Sequence, residues 1–149
     1  MKLGDYLAKD FVLPELLSEN KSDTLKELIA PLGVKYPEMD TDLAVRVLLD
    51  REQLGTTGIG DGIAIPHGKL ENLEKVIVLV GRSFKGIEFD ALDQKPCFIF
   101  FLVLAPEQAA GLHLRILAQI SRLLKDKTFR QSLLEADGSE ELWGLLKSV

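Results

Sequence analysis

Phe98-Ile99-Phe100-Phe101-Leu102-Val103-Leu104 is an unbroken apolar run bracketed by Pro96 and Pro106. A strand with one wet face alternates polar and apolar residues, whereas a continuous aromatic and β-branched run predicts a strand buried on both faces. Val76-Ile77-Val78-Leu79-Val80 carries the same signature. Burial on both faces needs helices above and below, so the predicted class is α/β: a mixed β-sheet flanked by helices on both sides. Between the two runs, Ser83 to Lys95 has turn signals at Gly86 and Asp93 and too little helical pattern for a crossover. The two strands are therefore predicted to be antiparallel neighbours.

Helical patterns fill the flanks. Leu3, Leu7 and Phe11 suit a short helix, and Phe11-Val12-Leu13 an extended piece ended by Pro14. Thr24 to Glu27 has capping-box spacing ahead of the stripe Leu25, Leu28, Ile29 and Leu32, with Pro31 and Gly33 predicted to end that helix. Asp40 or Thr41 is predicted to cap the next, which would bury Leu43, Val47, Leu48 and Leu54. Beyond the apolar run, a long helix from Gly111 sets Leu112, Ile116, Leu117, Ile120, Leu123 and Leu124 at helical spacing. Two shorter helices are predicted over 128–136 and 139–147. No linker, repeat or low-complexity segment appears, which predicts one domain over residues 1–149.

The balance of 18 basic against 23 acidic residues gives a net charge of −5, which argues against a nucleic-acid or anionic-membrane binder. It suits a basic protein partner. Cys97 stands alone, so an internal disulfide and a cysteine zinc site are excluded, and its apolar neighbours predict a buried, inert thiol. The N-terminus lacks the apolar core of a signal peptide, and the longest apolar run is too short to span a bilayer. A soluble, cytoplasmic protein without direct membrane insertion is expected.

The most specialised stretch is Thr56 to Lys69, TTGIGDGIAIPHGK, where four glycines surround Ile63-Ala64-Ile65 and lead into Pro66-His67-Gly68. Pro66 fixes its own φ and holds Ile65 extended, which predicts His67 leaving a strand end on a stiff stem beside an open glycine. A Walker A loop is excluded, because five residues rather than four separate Gly62 from Gly68-Lys69 and Leu70 follows. A dinucleotide fingerprint from Gly58 would need glycine where Ile63 stands. The remaining pattern fits two readings: an imidazole displayed to a visiting partner, or turns at a sheet rim with an incidental histidine. Arg51 is equally open, either a solvated arginine at a helix end or a guanidinium held near the glycine-rich stretch. His113 falls in the first turn of the long helix, on the side of the buried stripe and near a helix N-terminus that favours anions. With only these two histidines and no H-E-x-x-H or G-x-S-x-G motif, metal hydrolase and acyl-transfer chemistry are disfavoured, and no metal or cofactor is called for.

Arg51 to Gly68 closely resembles the active-site region of IIA domains of the bacterial phosphoenolpyruvate-dependent phosphotransferase system, in the fructose/mannitol branch and most like its nitrogen-regulatory members. The resemblance runs on through Phe89 to Asp93, Phe100 to Pro106, His113-Leu114 and Ile120 to Leu124, covering nearly the whole chain. It implies a phosphotransferase component. His67 would accept a phosphoryl group from a small phosphohistidine carrier protein, His113 would be the second active-site histidine that helps hold it, and Arg51 would balance its charge. Downstream, it implies either a IIB domain of a sugar transporter or regulated target proteins; the chain's end at Val149 and the motif wording favour the regulatory type. Asp61 stands where such sequences often carry Asn, and an acid near an incoming dianion is expected to lower phosphorylation affinity without abolishing function.

Overall fold

The computed structural model describes residues 2–149. In chain order the strands are β1 (Val12–Leu13), β2 (Gly58–Gly60), β3 (Ile63–Ala64), β4 (His67–Leu70), β5 (Ile77–Ile87) and β6 (Cys97–Pro106). The helices are α1 (Lys21–Lys35), α2 (Thr41–Gln53), α3 (Ala110–Lys125), α4 (Lys127–Glu135) and α5 (Gly138–Leu146). The apolar run is β6, the spine of the sheet. It pairs antiparallel with β5 through contacts such as Val78↔Val103 and Val80↔Phe101, as the short connection requires. β1 adds parallel to the far side of β5. The predicted mixed sheet is what forms.

On its other side β6 takes both β3 and β4, each parallel. Ile63↔Ile99, Ala64↔Phe100, His67↔Val103 and Gly68↔Leu104 share one constant offset, so Ile63 to Leu70 follows β6 as a single strand interrupted at Ile65-Pro66. Pro66 has no N–H to give, but its carbonyl accepts from Val103 N at 2.9 Å and carries the ladder across the gap. β2 folds back antiparallel on β3 through a turn whose three residues, Gly60, Asp61 and Gly62, all have positive φ (103°, 56° and 76°). Glycine takes that conformation freely, and Asp or Asn tolerates it best among the rest, which accounts for Asp61 there.

Strict alternation sorts the strand residues into two cores. Ile63, Ile65, Val78, Val80, Ile99, Phe101 and Val103 face Ile116, Ile120 and Leu124 of α3 together with α4 and α5. Ala64, Leu70, Ile77, Leu79, Phe100, Leu102 and Leu104 face α1 and α2. Helices thus cover both faces, and the continuous apolar runs are explained.

Several boundaries differ from the sequence expectation. α1 begins earlier, because Asn20 rather than Thr24 caps it: the Asn20 side chain accepts from Asp23 N at 2.9 Å. It also runs through Pro31 and Gly33 to Lys35, held by the buried Leu25, Leu28, Ile29 and Leu32 while Pro31 lies only partly buried. α2 buries Leu48 as predicted, but with Ala44, Val45 and Glu52 beside it, while Val47 is only partly buried. The helix stops at Gln53, which leaves Leu54 85% exposed beyond its end, and Leu43 is 41% exposed on its outer side. Leu3–Tyr6 and Lys9–Phe11 are two 3-10 turns rather than one helix. Cys97 is buried, and the desolvation of its thiolate pushes its pKa up to about 11.

Candidate functional site

His67 opens β4; it does not end a strand, as the sequence suggested. The proline expected to stiffen its stem is the point where the strand is interrupted. Alternation sends the His67 side chain toward α3, and Gly68, next along, faces α2. A Cβ on Gly68 would lie 2.8 Å from Val47 Cγ1, so glycine here sets the closeness of α2 to the strand that carries the histidine.

The His67 ring is half-buried, with Nδ1 2.8 Å from the Ile65 carbonyl oxygen. A carbonyl only accepts, so Nδ1 carries the proton and Nε2 keeps its lone pair. Burial lowers the His67 pKa below its ordinary value; the Ile65 carbonyl pulls it back up, the Arg51 charge lowers it and the Glu52 charge raises it. The net direction favours the neutral imidazole.

His113, in the first turn of α3, meets it edge-on. The two ring centroids are 5.7 Å apart with the planes at 73°. His113 is 5% exposed, and its Nε2 is buried without a hydrogen-bond partner among the described residues. Burial first, then the neighbouring His67 and Lys69, pushes its pKa down to about 4. No side chain caps α3 and no acid lies in its first turn, so the dipole at its start adds to an environment suited to an anion. A bland histidine bonded to a loop, one reading of the sequence, would have its ring nitrogens satisfied; this one does not.

Arg51 sits in the last turn of α2, where its Nη1 donates to the Gly55 carbonyl at 2.9 Å. It is partly exposed, and its charge reaches His67. The structure thus places Arg51 at the helix end, bonded to the Gly55 carbonyl where the chain enters the glycine-rich stretch.

Sequence reasoning missed Glu52. It is 7% exposed, and its carboxylate accepts from Thr57 N at 3.0 Å and from Thr57 Oγ1, with Lys21 Nζ 3.1 Å away. Lys21, the first residue of α1, lies over the Phe89 ring at 4.9 Å. Its partner is far off in sequence, and a Glu beside an Arg at a helix end reads as solvated, so no local signal marked the pair. Among the described residues no group of three or more His, Cys, Asp or Glu is placed to hold a metal ion. Nor, among them, is any helix long and apolar enough to cross a membrane.

A sequence profile for the family described as "Phosphoenolpyruvate-dependent sugar phosphotransferase system, EIIA 2" matches residues 5–149. A nitrogen regulatory protein from Bradyrhizobium diazoefficiens is 38% identical over 146 residues, covering 98% of this chain and 95% of its own. A PTS system fructose-specific EIIA component from Haloferax volcanii is 42% identical over 110 residues, 74% of this chain and 71% of its own. The crystal structure of nitrogen regulatory protein IIA-Ntr from Neisseria meningitidis superposes with a TM-score of 0.89 at 29% identity, covering 96% of this chain and 97% of that one.

Proposed function

The chain belongs to the phosphoenolpyruvate-dependent sugar phosphotransferase system EIIA 2 family, and from that premise we propose that it is a histidine phosphocarrier whose acceptor is His67. The observation that carries the reading is the pairing of two unlike imidazoles. His67 has its Nδ1 proton committed to the Ile65 carbonyl and its Nε2 lone pair free, while His113 presents a buried, unpartnered Nε2 beside it.

In the transfer, the Nε2 lone pair of His67 attacks phosphorus on an incoming phosphohistidine. The donor's N–P bond breaks and its electron pair returns to the donor imidazole. The product ring bears Nδ1–H and the Nε2–P bond together and is cationic, and the Ile65 carbonyl accepting from Nδ1 stabilises it. Such a reaction needs positioning and charge stabilisation more than covalent help. An Nε2–H tautomer of His113 supplies a donor to a phosphoryl oxygen. Burial keeps His113 neutral before the phosphoryl group arrives, and Arg51 and the start of α3 supply positive charge at the site.

The donor is a small phosphohistidine carrier protein, and the chain acts in the cytoplasm. The nitrogen-regulatory relative matches across nearly the full length of both chains, which supports a role as a phosphorylation-dependent regulator of target proteins. The fructose-specific relative, more identical over a shorter span, favours a second reading: passage of the phosphoryl group to a IIB domain for sugar uptake.

The test is incubation with phosphoenolpyruvate, the general phosphotransferase enzyme and its phosphohistidine carrier, beside His67→Ala. Acid-labile phosphate mapped to His67 and absent from the variant is the expected result. No phosphate from a donor that charges another IIA protein would refute the reading. Onward transfer to a IIB domain would select the sugar-transport alternative.

A further inference from the structure

We infer that Glu52 is a positioning residue for His67: its buried carboxylate anchors Thr57, and through Thr57 and Ile65 it fixes the hydrogen bond that holds the His67 ring. The inference rests on His67 being the phosphoryl acceptor.

Glu52 ends the buried ridge of α2 that Ala44 and Leu48 begin. An apolar side chain would continue that ridge, and replacing a buried ion pair by well-packed apolar residues is often neutral or stabilising. A carboxylate here needs a use. Its bonds go to Thr57, where the chain enters the glycine-rich stretch, from both the backbone N–H at 3.0 Å and the hydroxyl. The Glu52 carbonyl accepts from Gly55 N at 3.1 Å, so one residue clamps the loop 55–57 from two sides. Lys21 supplies the counter-charge at 3.1 Å.

From Thr57 the connection runs directly to the imidazole. The Thr57 carbonyl accepts from Ile65 N at 3.0 Å, and the Ile65 carbonyl accepts from His67 Nδ1 at 2.8 Å. Ile65 and Pro66 form the interruption between β3 and β4, where the regular ladder does not set the peptide plane. Two bonds set it instead: Ile65 N to Thr57 on one side, and Val103 N to the Pro66 carbonyl at 2.9 Å on the other. Release of Thr57 removes the first. The Ile65–Pro66 peptide is then held from the Pro66 side alone, the Ile65 carbonyl can turn away from Nδ1, and the proton divides between the two ring nitrogens. Only the fraction with Nε2 unprotonated and correctly aimed attacks phosphorus, and a misplacement near 1 Å can lower a rate by about 100-fold.

The experiment uses full-length protein labelled with 15N-histidine. Imidazole 15N shifts report the His67 tautomer, and uptake from the phosphorylated carrier reports the rate. Wild type is expected to show one Nδ1–H tautomer. Glu52→Ala should show a mixture and take up phosphate about 10- to 100-fold more slowly. Glu52→Gln keeps an acceptor for Thr57 N–H and should fall between them, nearer wild type. Thr57→Val removes only the hydroxyl, keeps the side-chain volume and should also show a mixture; it decides the matter if Glu52→Ala does not fold. A wild-type tautomer spectrum in folded Glu52→Ala or Thr57→Val would overturn the inference, as would equal rate losses in all three variants with unchanged spectra. Failure of the wild type to accept phosphate would refute the phosphocarrier reading alone, since the tautomer spectra still judge Glu52.

Discussion

His113 should make this protein acid-sensitive, and the size of the effect follows from its burial. Its pKa is about 4 in the folded protein against 6.5 for a free imidazole. The unfolded chain therefore binds a proton below 6.5 that the folded one refuses until about 4. Stability consequently falls as pH drops through 6.5, and the whole loss is present only below the folded value. At about pH 4.5 the unfolded imidazole is about 99% protonated and the folded one about a quarter, a difference of about 2.5 kcal/mol relative to pH 7.5. The residue is 5% exposed, so solvent screening takes little from this figure. His113→Gln removes the titration and keeps a neutral polar side chain. Urea unfolding of both proteins at about pH 7.5 and pH 4.5 would compare the two losses, with carboxylates common to both cancelling. The variant should lose about 2.5 kcal/mol less than wild type over that interval. Equal losses in the two proteins would show that burial does not depress the His113 pKa and that the residue is not held neutral in the unphosphorylated protein.

Arg51→Ala should fold with stability within about 0.5 kcal/mol of wild type, since Arg51 is partly exposed, yet accept phosphate about tenfold more slowly; wild-type uptake would contradict its charge-balancing role. Gly68→Ala sets a methyl 2.8 Å from Val47 Cγ1, so α2 must shift or Val47 must turn. A cost of about 1–3 kcal/mol in urea melts is expected, with a moved His67 15N signal. Arg82, 3% exposed, donates to the carbonyls of Pro14, Leu133 and Ala136. Arg82→Met should cost about 3 kcal/mol by leaving those acceptors unmet, while the His67 tautomer stays as in wild type.

How much of this the sequence showed depends on the range of the interaction involved. The strands Ile77–Ile87 and Cys97–Pro106 were legible because burial on both faces leaves its mark within one short run. The α1 boundaries were not, since Asn20 and Pro31 act through a cap and a packed stripe that outweigh the local rule against proline. Leu54 has the spacing of a core residue, but α2 ends at Gln53, one residue before it. His67, His113 and Arg51 were singled out by the resemblance of the stretches that carry them, since each alone also fitted an ordinary structural use. Their meeting point was not legible, because it depends on β4 lying along β6 and on α3 starting just beyond the end of that strand. Glu52 was invisible because its cation comes from the start of α1.

The constant offset along Ile63–Leu70 makes the position of the histidine a matter of odd and even. Residues 63, 65 and 67 look toward α3, and 64 and 68 toward α2. One residue inserted between Ala64 and His67, with β3 held in place, would turn the imidazole into the space that Gly68 leaves against Val47, away from His113. Two inserted residues would return it to the right face but about 7 Å further along β6. This two-residue interruption cannot change length without moving the two-imidazole pair, and Ile65-Pro66 is where lineages of this fold should show no insertions at all.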